Sequence, residues 1–265
     1  MMHNNSLHFR GFTLVEMIIV IAITGIISAV VATFIRAPID GYIASVRRAE
    51  LTDIADTAVR RIGRDLHLAL PNSVRVTSSG GVTYLEFLLT SGGGRYRIET
   101  PGNPLDFTAA DTSFDVLGPA VTAASNNLIA IYNLGIPGAD AYSADNTSPV
   151  NSGFTGNTVT IASKLFPYDS PSHRFQIIQY PVTYACNPTA GTLTRYWNYT
   201  ISPTQPTSFG SGSNALLAKN VSACSFSYDQ QVITQRAGLV AATLRLTQDG
   251  ESINLYYETH VSNAP

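Results

Sequence analysis

The stretch Arg10-Gly11-Phe12-Thr13-Leu14-Val15-Glu16, followed by the apolar run Met17 to Ile35, decides the fold of this 265-residue chain. Residues 17–35 carry no formal charge. As a helix rising about 1.5 Å per residue, they would extend about 28 Å, close to the roughly 30 Å hydrocarbon thickness of a bilayer. A secretory signal peptide has a shorter apolar core, about 7–15 residues, with small residues at the cleavage site behind it. Here no such pattern follows, so the run predicts a membrane-spanning helix that stays on the mature chain.

The hexapeptide Gly11 to Glu16 resembles the processing motif of type IV pilins and type II secretion pseudopilins. In that family a prepilin peptidase cuts after the glycine and methylates the new N-terminal phenylalanine. The resemblance implies a leader at 1–11, cleavage after Gly11, methylation of Phe12, and assembly with other minor and major pilins through the N-terminal helix. The alternative is a chance Gly-Phe pair in front of a membrane helix.

Glu16 places a carboxylate at the front edge of the apolar run. Such a group costs about 2.5–3.5 kcal/mol near the bilayer centre and less near its edge, so it is expected to have a partner. Cleavage after Gly11 would create a free amine on Phe12, four residues earlier. The resemblance implies that Glu16 of one subunit meets the Phe12 amine of a neighbour during assembly; the alternative is a side chain that only reaches toward the lipid headgroups.

The helix is predicted to continue far beyond the membrane segment, from Phe12 to Leu70. Apolar residues recur at steps of three or four along 51–69, as they do on one face of a helix that packs on a sheet. Pro38 predicts a kink and Pro71 the end of the helix. The arginines are interleaved with acidic residues, which favours a solvated mixed-charge face over a basic patch. The arginines are those at 47, 48, 60, 61 and 64, and the acidic residues are Glu50, Asp53, Asp56 and Asp65.

The remainder of the chain reads as short strands joined by turns, giving an α+β, pilin-like fold: a long N-terminal helix packed on an antiparallel β-sheet domain. Asp249-Gly250 is a strong hairpin signal, Asn187 to Gly191 predicts a second hairpin, and Gly92 to Arg95 predicts a turn. Segments 135–156 and 202–213 are predicted to be exposed loops. The predicted strands are Val74–Thr77, Val82–Leu89, Arg95–Glu99, Leu128–Asn133, Thr158–Ala162, Phe175–Tyr180, Val182–Cys186, Thr192–Tyr199, Ala223–Tyr228, Leu239–Thr247 and Ser252–Val261.

These elements define the expected domains: the leader at 1–11, a transmembrane and assembly helix at 12–35, its amphipathic second half at 36–71, and a periplasmic β-rich domain at 72–265. Arg60 to Val76 is similar to the helix end of J-type minor pseudopilins, and other segments resemble minor pilins of type IV pilus biogenesis. The resembling segments are Arg47 to Leu51, Ser91 to Arg97 and His260 to Pro265. Glu16 argues against the K-type minor pilins, which lack this glutamate.

Composition limits the possible functions. The net charge of −2 and a charged fraction of only 13% give no basic footprint for nucleic acid. Cys186 and Cys224 are the only cysteines; in a periplasmic domain they are expected to form a disulfide, and two buried free thiols are the alternative. Two cysteines without further ligands at metal spacing do not indicate a zinc site. No metal or other cofactor is expected, although Asp140, Asp145 and Asn146 could offer oxygen ligands to calcium without the usual calcium-loop spacing.

The chain contains no P-loop, nucleophile-elbow or zinc-protease motif, so a non-catalytic function is expected. The leading hypothesis is a minor pilin anchored in the inner membrane lipid with its C-terminal domain in the periplasm, incorporated at the pilus tip to prime assembly. The alternatives are a J-like minor pseudopilin of type II secretion, a tip adhesin that binds a surface ligand through its loops, and an anchored periplasmic enzyme with a nonstandard site.

Overall fold

The structure, a computed structural model, describes residues 11–229 and 237–265. Two units divide the chain, one ending at Ala49 and the other comprising Glu50–Pro265. A single helix, α1, spans Leu14–Leu66 and continues through Pro38. The helix is thus slightly shorter at both ends than the predicted range of Phe12 to Leu70.

Fourteen strands and one short 3-10 helix follow α1 in the described residues. The strands are β1 (Arg75–Ser79), β2 (Val82–Tyr96), β3 (Asp111–Leu117), β4 (Val121–Ala123), β5 (Leu128–Ile131), β6 (Thr147–Pro149), β7 (Phe154–Gly156), β8 (Thr158–Lys164), β9 (Arg174–Asn187), β10 (Thr192–Trp197), β11 (Ser213–Lys219), β12 (Val221–Asp229), β13 (Ala237–Gln248) and β14 (Glu251–Ser262). The 3-10 helix spans Ala141–Ser143.

The strands form three antiparallel sheets. The largest has nine strands with the order β11-β10-β9-β2-β3-β8; β1 also pairs with β2, and β5 pairs with both β9 and β6. A three-stranded sheet has the order β12-β13-β14, and β4 pairs with β7. One long helix followed by antiparallel sheets confirms the predicted α+β fold class.

The second half of α1 contributes one face to the main core of Glu50–Pro265. Leu51, Ala55, Ala58, Ile62 and Leu66 are all at most 1% exposed, as their spacing predicted. They share one apolar cluster with residues of both larger sheets, among which are Phe87, Val182, Leu193, Phe226 and Leu244. The free energy that holds this helix segment on the sheets therefore comes from apolar burial along a single stripe.

Both predicted hairpins are confirmed. Asp249 and Gly250 connect β13 to β14 with positive φ angles of 49° and 84°, as a tight two-residue turn requires. Residues 188–191 connect β9 to β10, with Asn187 paired to Thr192. These turns were predictable because glycine, and to a lesser degree aspartate, readily adopts the positive φ found at Gly191, Asp249 and Gly250.

The predicted strand break at Pro181 is wrong. Phe175–Tyr180 and Val182–Cys186 form one strand, β9, that runs through Pro181. Pro181 lies opposite Leu88 of β2, whose amide donates to Ser73 Oγ and whose carbonyl accepts from Leu70 rather than from β9. Leu88 and Pro181 therefore exchange no backbone hydrogen bond. Pairing with β2 does not require the N–H group that proline lacks.

The predicted turn at Gly92 to Arg95 is also wrong, because these residues lie within β2. Gly93 pairs with Gln176 and Gly94 with Phe175 on β9. Added methyl groups at these two glycines would meet Phe175, so the glycines permit close strand approach rather than a reversal.

Segment 135–156 is not the exposed loop that its composition predicted. It contains the 3-10 helix, β6 and β7, and it includes the buried residues Asn146, Ser148 and Val150. Asn146 Nδ2 donates to the carbonyl of Ile131 at 3.0 Å, so buried polar groups in this segment have partners. Segment 202–213 is irregular until β11 begins at Ser213, as predicted. Strands β3, β4, β6, β7 and β11 were not predicted.

Candidate functional site

The N-terminus of α1 is closed by its own side chains. The amide of Glu16 donates to Thr13 Oγ1 at 3.3 Å, and the amide of Thr13 donates to Glu16 Oε2 at 3.5 Å. This reciprocal pair is a capping box, in which two of the otherwise unpartnered amides of the first turn find acceptors. It holds the carboxylate of Glu16 over the first turn, next to the amide of Thr13. The three-residue spacing of Thr13 and Glu16 is a sequence signal for this cap, which adds a local role to the one predicted for Glu16 in assembly.

Glycine at position 11 is not required by packing. A methyl group added to Gly11 would meet no atom of the described residues within 4 Å. Phe12 beside it is 78% exposed. The fold therefore leaves this peptide bond accessible and gives no structural reason for the glycine.

The apolar part of α1 is uncovered on every side. The large side chains from Met17 to Ile35 are all between 47% and 77% exposed. In water this surface would be strongly unfavourable, whereas lipid or other apolar helices would cover it at little cost. Among the described residues, α1 is the one helix long and apolar enough to cross a membrane.

Polar side chains within and just beyond the apolar run bond back to the helix. Thr24 donates to the carbonyl of Val20, Thr33 to that of Ala29 at 2.6 Å, and Ser45 to that of Gly41 at 2.9 Å. These hydroxyls need no partner from outside the helix, which is the condition for placing them in lipid or in a bundle of apolar helices.

A family model described as the prokaryotic N-terminal methylation motif matches residues 7–32. No curated protein and no solved structure matches the chain. The motif and the apolar helix together support a type IV pilin-like or pseudopilin-like subunit. They also fit a membrane-anchored chain with a C-terminal globular domain, and they imply processing by a prepilin peptidase and assembly with other pilins.

In the globular part, Cys186 on β9 and Cys224 on β12 form a disulfide with their Cα atoms 6.5 Å apart. The bond joins the nine-stranded sheet to the three-stranded sheet beside the main core. The expected pairing is therefore present, and it closes a loop with a sequence separation of 38.

Asp65 contradicts the prediction of a fully solvated charged face on α1. Its side chain is buried, and its Oδ2 accepts from Arg195 Nε at 2.7 Å and from the Tyr184 hydroxyl at 2.7 Å. Arg61 Nε lies 3.2 Å from Asp65 Oδ1. Burial, followed by the nearby Asp65 carboxylate, holds the pKa of Tyr184 far above its ordinary value, so this phenol stays a hydrogen-bond donor. By contrast, Asp56 and Arg60, four residues apart on α1, form an exposed ion pair in which Arg60 Nε lies 2.6 Å from Asp56 Oδ2.

A second buried carboxylate lies on the opposite face of β2. Glu86 accepts from Arg75 Nε at 2.8 Å and from the Tyr199 hydroxyl at 2.9 Å. Burial raises the pKa of Glu86, and the bond from Arg75 partly opposes that rise. The guanidinium of Arg75 also donates to the carbonyls of Ser202 and Pro203, so it ties the 202–213 loop to the sheet. Glu86 and Arg75 therefore have partners within the chain, as a structural network requires.

The acidic residues considered for calcium have other partners. Asp140 Oδ1 accepts from the amide of Tyr142 at 3.0 Å, capping the 3-10 helix, and Asp145 Oδ2 accepts from the amide of Gly138 at 2.9 Å. Within residues 11–229 and 237–265, no group of three or more His, Cys, Asp or Glu side chains could hold a metal ion.

Sequence reasoning missed both buried networks. Asp65 and Arg195 are 130 positions apart, and Arg75 and Pro203 are 128 apart. A local sequence pattern cannot relate residues that far apart. The only signal in the sequence was a charged residue within a helix or strand whose other residues are mostly buried.

Proposed function

We propose that this protein is a minor pilin that is cleaved after Gly11, methylated at Phe12, and incorporated at the tip of a type IV pilus to prime assembly. The main support for this proposal is that the methylation motif matched at 7–32 overlaps the exposed apolar part of α1. The first turn of this helix also contains the Glu16 carboxylate. The resemblance of Arg47 to Leu51, Ser91 to Arg97 and His260 to Pro265 favours minor pilins of mannose-sensitive haemagglutinin (MSHA) pilus biogenesis. The proposed protein is a structural subunit and not an enzyme.

The capping box supports a specific role for Glu16. After cleavage the amide of Thr13 is still present, so the cap can persist beside the new amine of Phe12. Glu16 uses Oε2 in a long bond of 3.5 Å, and its other oxygen accepts no hydrogen bond within the described chain. The carboxylate therefore lies beside the amide of Thr13, two residues after the proposed cleavage position, and has the capacity to bind a cation from a neighbouring subunit.

The membrane segment and the globular part suit different surroundings. During assembly, the exposed apolar part of α1 leaves the lipid and packs against the apolar helices of neighbouring subunits. The polarity around it changes little. The disulfide favours an oxidising compartment for the globular part. We therefore assign the segment at 12–35 to the inner membrane before assembly, and the β-rich domain to the periplasm.

The test is Glu16→Ala in the producing cell. It should leave membrane insertion and cleavage intact and abolish pili, since the intersubunit charge pair is lost. Glu50→Ala, on the same helix but outside the apolar run, is the matched control and should leave pili normal. Thr13→Ala removes the capping hydroxyl while keeping the carboxylate, so it should retain pili. Normal pilus numbers with Glu16→Ala would refute the mechanism.

A J-like pseudopilin of type II secretion would share the anchor and the processing. Deleting the protein distinguishes the two: loss of surface pili with normal protein secretion supports the pilus assignment, and the reverse supports the secretion assignment.

A tip adhesin has one observation in its favour. A cavity of about 310 Å³ is lined by Tyr84, Tyr196 and Phe209 with hydroxyl side chains such as Thr194 and Ser208. Tyr196 stacks on Phe209 with ring centroids 4.5 Å apart, so part of each ring face is already covered. If this groove binds a surface ligand, Thr194→Val should reduce adhesion while pilus numbers stay unchanged; unchanged adhesion would contradict that role.

A further inference from the structure

Three arginines converge on one cleft between α1 and the edge of the nine-stranded sheet. The helix contributes Arg61 and Arg64, which lie one turn apart, and β10 contributes Arg195. The cleft has a volume of about 350 Å³ and lies entirely within Glu50–Pro265. Its other lining side chains are apolar or small, among them Trp197 and Leu217.

The positive charge in this cleft is only partly balanced. Asp65 is the acidic partner, and both of its oxygens are engaged: Oδ2 by Arg195 and Tyr184, and Oδ1 by Arg61. Arg64, which is exposed, has no ion-pair partner among the described residues. Three guanidinium groups therefore meet a single carboxylate, and the excess charge favours an anion.

Arg195 supplies the observation that points to a ligand. The whole residue is 5% exposed, yet its buried Nη2 has no hydrogen-bond acceptor in the described chain. Arg61 Nε is also buried without a well-aligned acceptor, although Asp65 Oδ1 lies 3.2 Å away. A buried charged donor without an acceptor costs free energy that an incoming anionic oxygen would recover.

The side chains that line the cleft favour a carboxylate on a short carbon chain. Guanidinium groups present parallel N–H donors that match the two oxygens of a carboxylate. Trp197 stacks with Arg195, its ring centroid 4.7 Å from the guanidinium carbon, and with Leu217 it offers an apolar surface for methylene groups. A free, fully hydrated inorganic ion would gain nothing from that apolar surface.

We propose that the cleft lined by Arg61, Arg64, Arg195 and Trp197 is a carboxylate-binding site. The carboxylate is supplied either by a small dicarboxylic acid or by an acidic side chain of a neighbouring polypeptide. In either case the exposed guanidinium of Arg64 holds the carboxylate, the positive charge of Arg61 and of Arg195 with its unpaired Nη2 attracts it, and Trp197 contacts the carbon chain.

Trp197 is the only tryptophan of the chain, so its fluorescence reports on this cleft without a label. The full-length protein in detergent is titrated with succinate and separately with the peptide acetyl-Gly-Glu-Gly-amide, at constant ionic strength. Succinamide and acetyl-Gly-Gln-Gly-amide are the neutral controls. We expect a saturable change in fluorescence with a charged probe and none with its neutral counterpart.

Arg64→Gln should weaken the apparent Kd about tenfold, as expected for the loss of one charge-assisted hydrogen bond. Arg64 is exposed, so this variant keeps the core intact. Arg60→Gln removes the same charge from the same helix outside the cleft and should bind like the parent protein.

Saturation by the peptide alone would identify an acidic polypeptide as the source, and saturation by succinate alone would identify a small acid. Failure of both to saturate, equal binding by Arg64→Gln and the parent, or tighter binding of inorganic phosphate than of either carboxylate would overturn the assignment. None of these outcomes bears on the pilin proposal, which rests on the N-terminal segment.

Discussion

Gly93→Ala should destabilise the globular part, although glycine-rich sequence around it suggests a tolerant turn. Gly93 lies in β2 opposite Gln176 of β9. A methyl group at this position would overlap the backbone oxygen of Phe175 and lie 3.3 Å from the Gln176 Cα. Because both neighbours are backbone atoms of a central strand, β2 and β9 must move apart to accept the methyl group.

The size of the effect follows from this overlap. Forcing one methyl group into a packed site costs about 1–3 kcal/mol. Gly92 is the matched control, because a methyl group there would meet no atom within 4 Å. Replacing a strand glycine by alanine in open space gains about 0.5–1 kcal/mol from the lower entropy of the unfolded chain. The two variants should therefore differ by about 1.5–4 kcal/mol in the free energy of unfolding.

Thermal unfolding of the full-length protein in mild detergent, followed by Trp197 fluorescence, measures the difference. For a domain of this size, 1 kcal/mol shifts the midpoint by about 2–4 °C. Gly93→Ala should therefore unfold at least about 3 °C below Gly92→Ala. Equal midpoints would show that residues 92–94 form a turn outside the sheet, as the sequence alone had suggested.

Three further changes test the buried interactions. Replacing both Cys186 and Cys224 by Ala should lower the free energy of unfolding in urea by about 4 kcal/mol, since the disulfide closes a loop with a separation of 38; a change below about 1 kcal/mol would contradict this. Asp65→Asn should cost roughly 3–5 kcal/mol because it leaves buried arginine charge without a carboxylate, whereas Asp56→Asn on the exposed face should cost less than about 1 kcal/mol; similar losses in the two would argue against the buried network. Burial and the nearby Glu86 carboxylate raise the pKa of Tyr199, so the phenol stays neutral in the folded protein while it ionises near pH 10 when unfolded. The contribution of Tyr199 to the free energy of unfolding should thus be constant below about pH 10 and fall by up to about 1.4 kcal/mol per pH unit above it, and Tyr199→Phe should lack this part of the slope; identical pH profiles above pH 10 would contradict the shift.

The sequence was informative where structure depends on neighbouring residues. The steps of three and four from Leu51 to Leu66 predicted the buried helix face because helix periodicity is local. Asp249-Gly250 predicted its hairpin because few residue pairs accept positive φ twice. The anchor and the processing motif were likewise contained in one continuous segment at 10–35.

The sequence was misleading where tertiary contacts overrule local preference. A proline such as Pro181 is normally not found in the interior of a strand. Here it is tolerated because it lies opposite Leu88, which needs no hydrogen bond from it. The sequence around Pro181 cannot show this, because Leu88 lies more than 90 residues earlier. Segment 135–156 has a loop-like composition, yet side-chain hydrogen bonds such as that of Asn146 allow it to be buried. The cleft lined by Arg61, Arg64 and Arg195 is formed by α1 and β10. These elements are far apart in the sequence, so no local motif predicts the cleft.

The most direct test of the central claim is mass spectrometry of the mature N-terminus from the producing organism. If the chain is a processed pilin-like subunit, its N-terminal peptide should begin at Phe12 and carry one additional methyl group. A mature chain that retains Gly11, or that begins at Phe12 without methylation, would contradict the proposed processing.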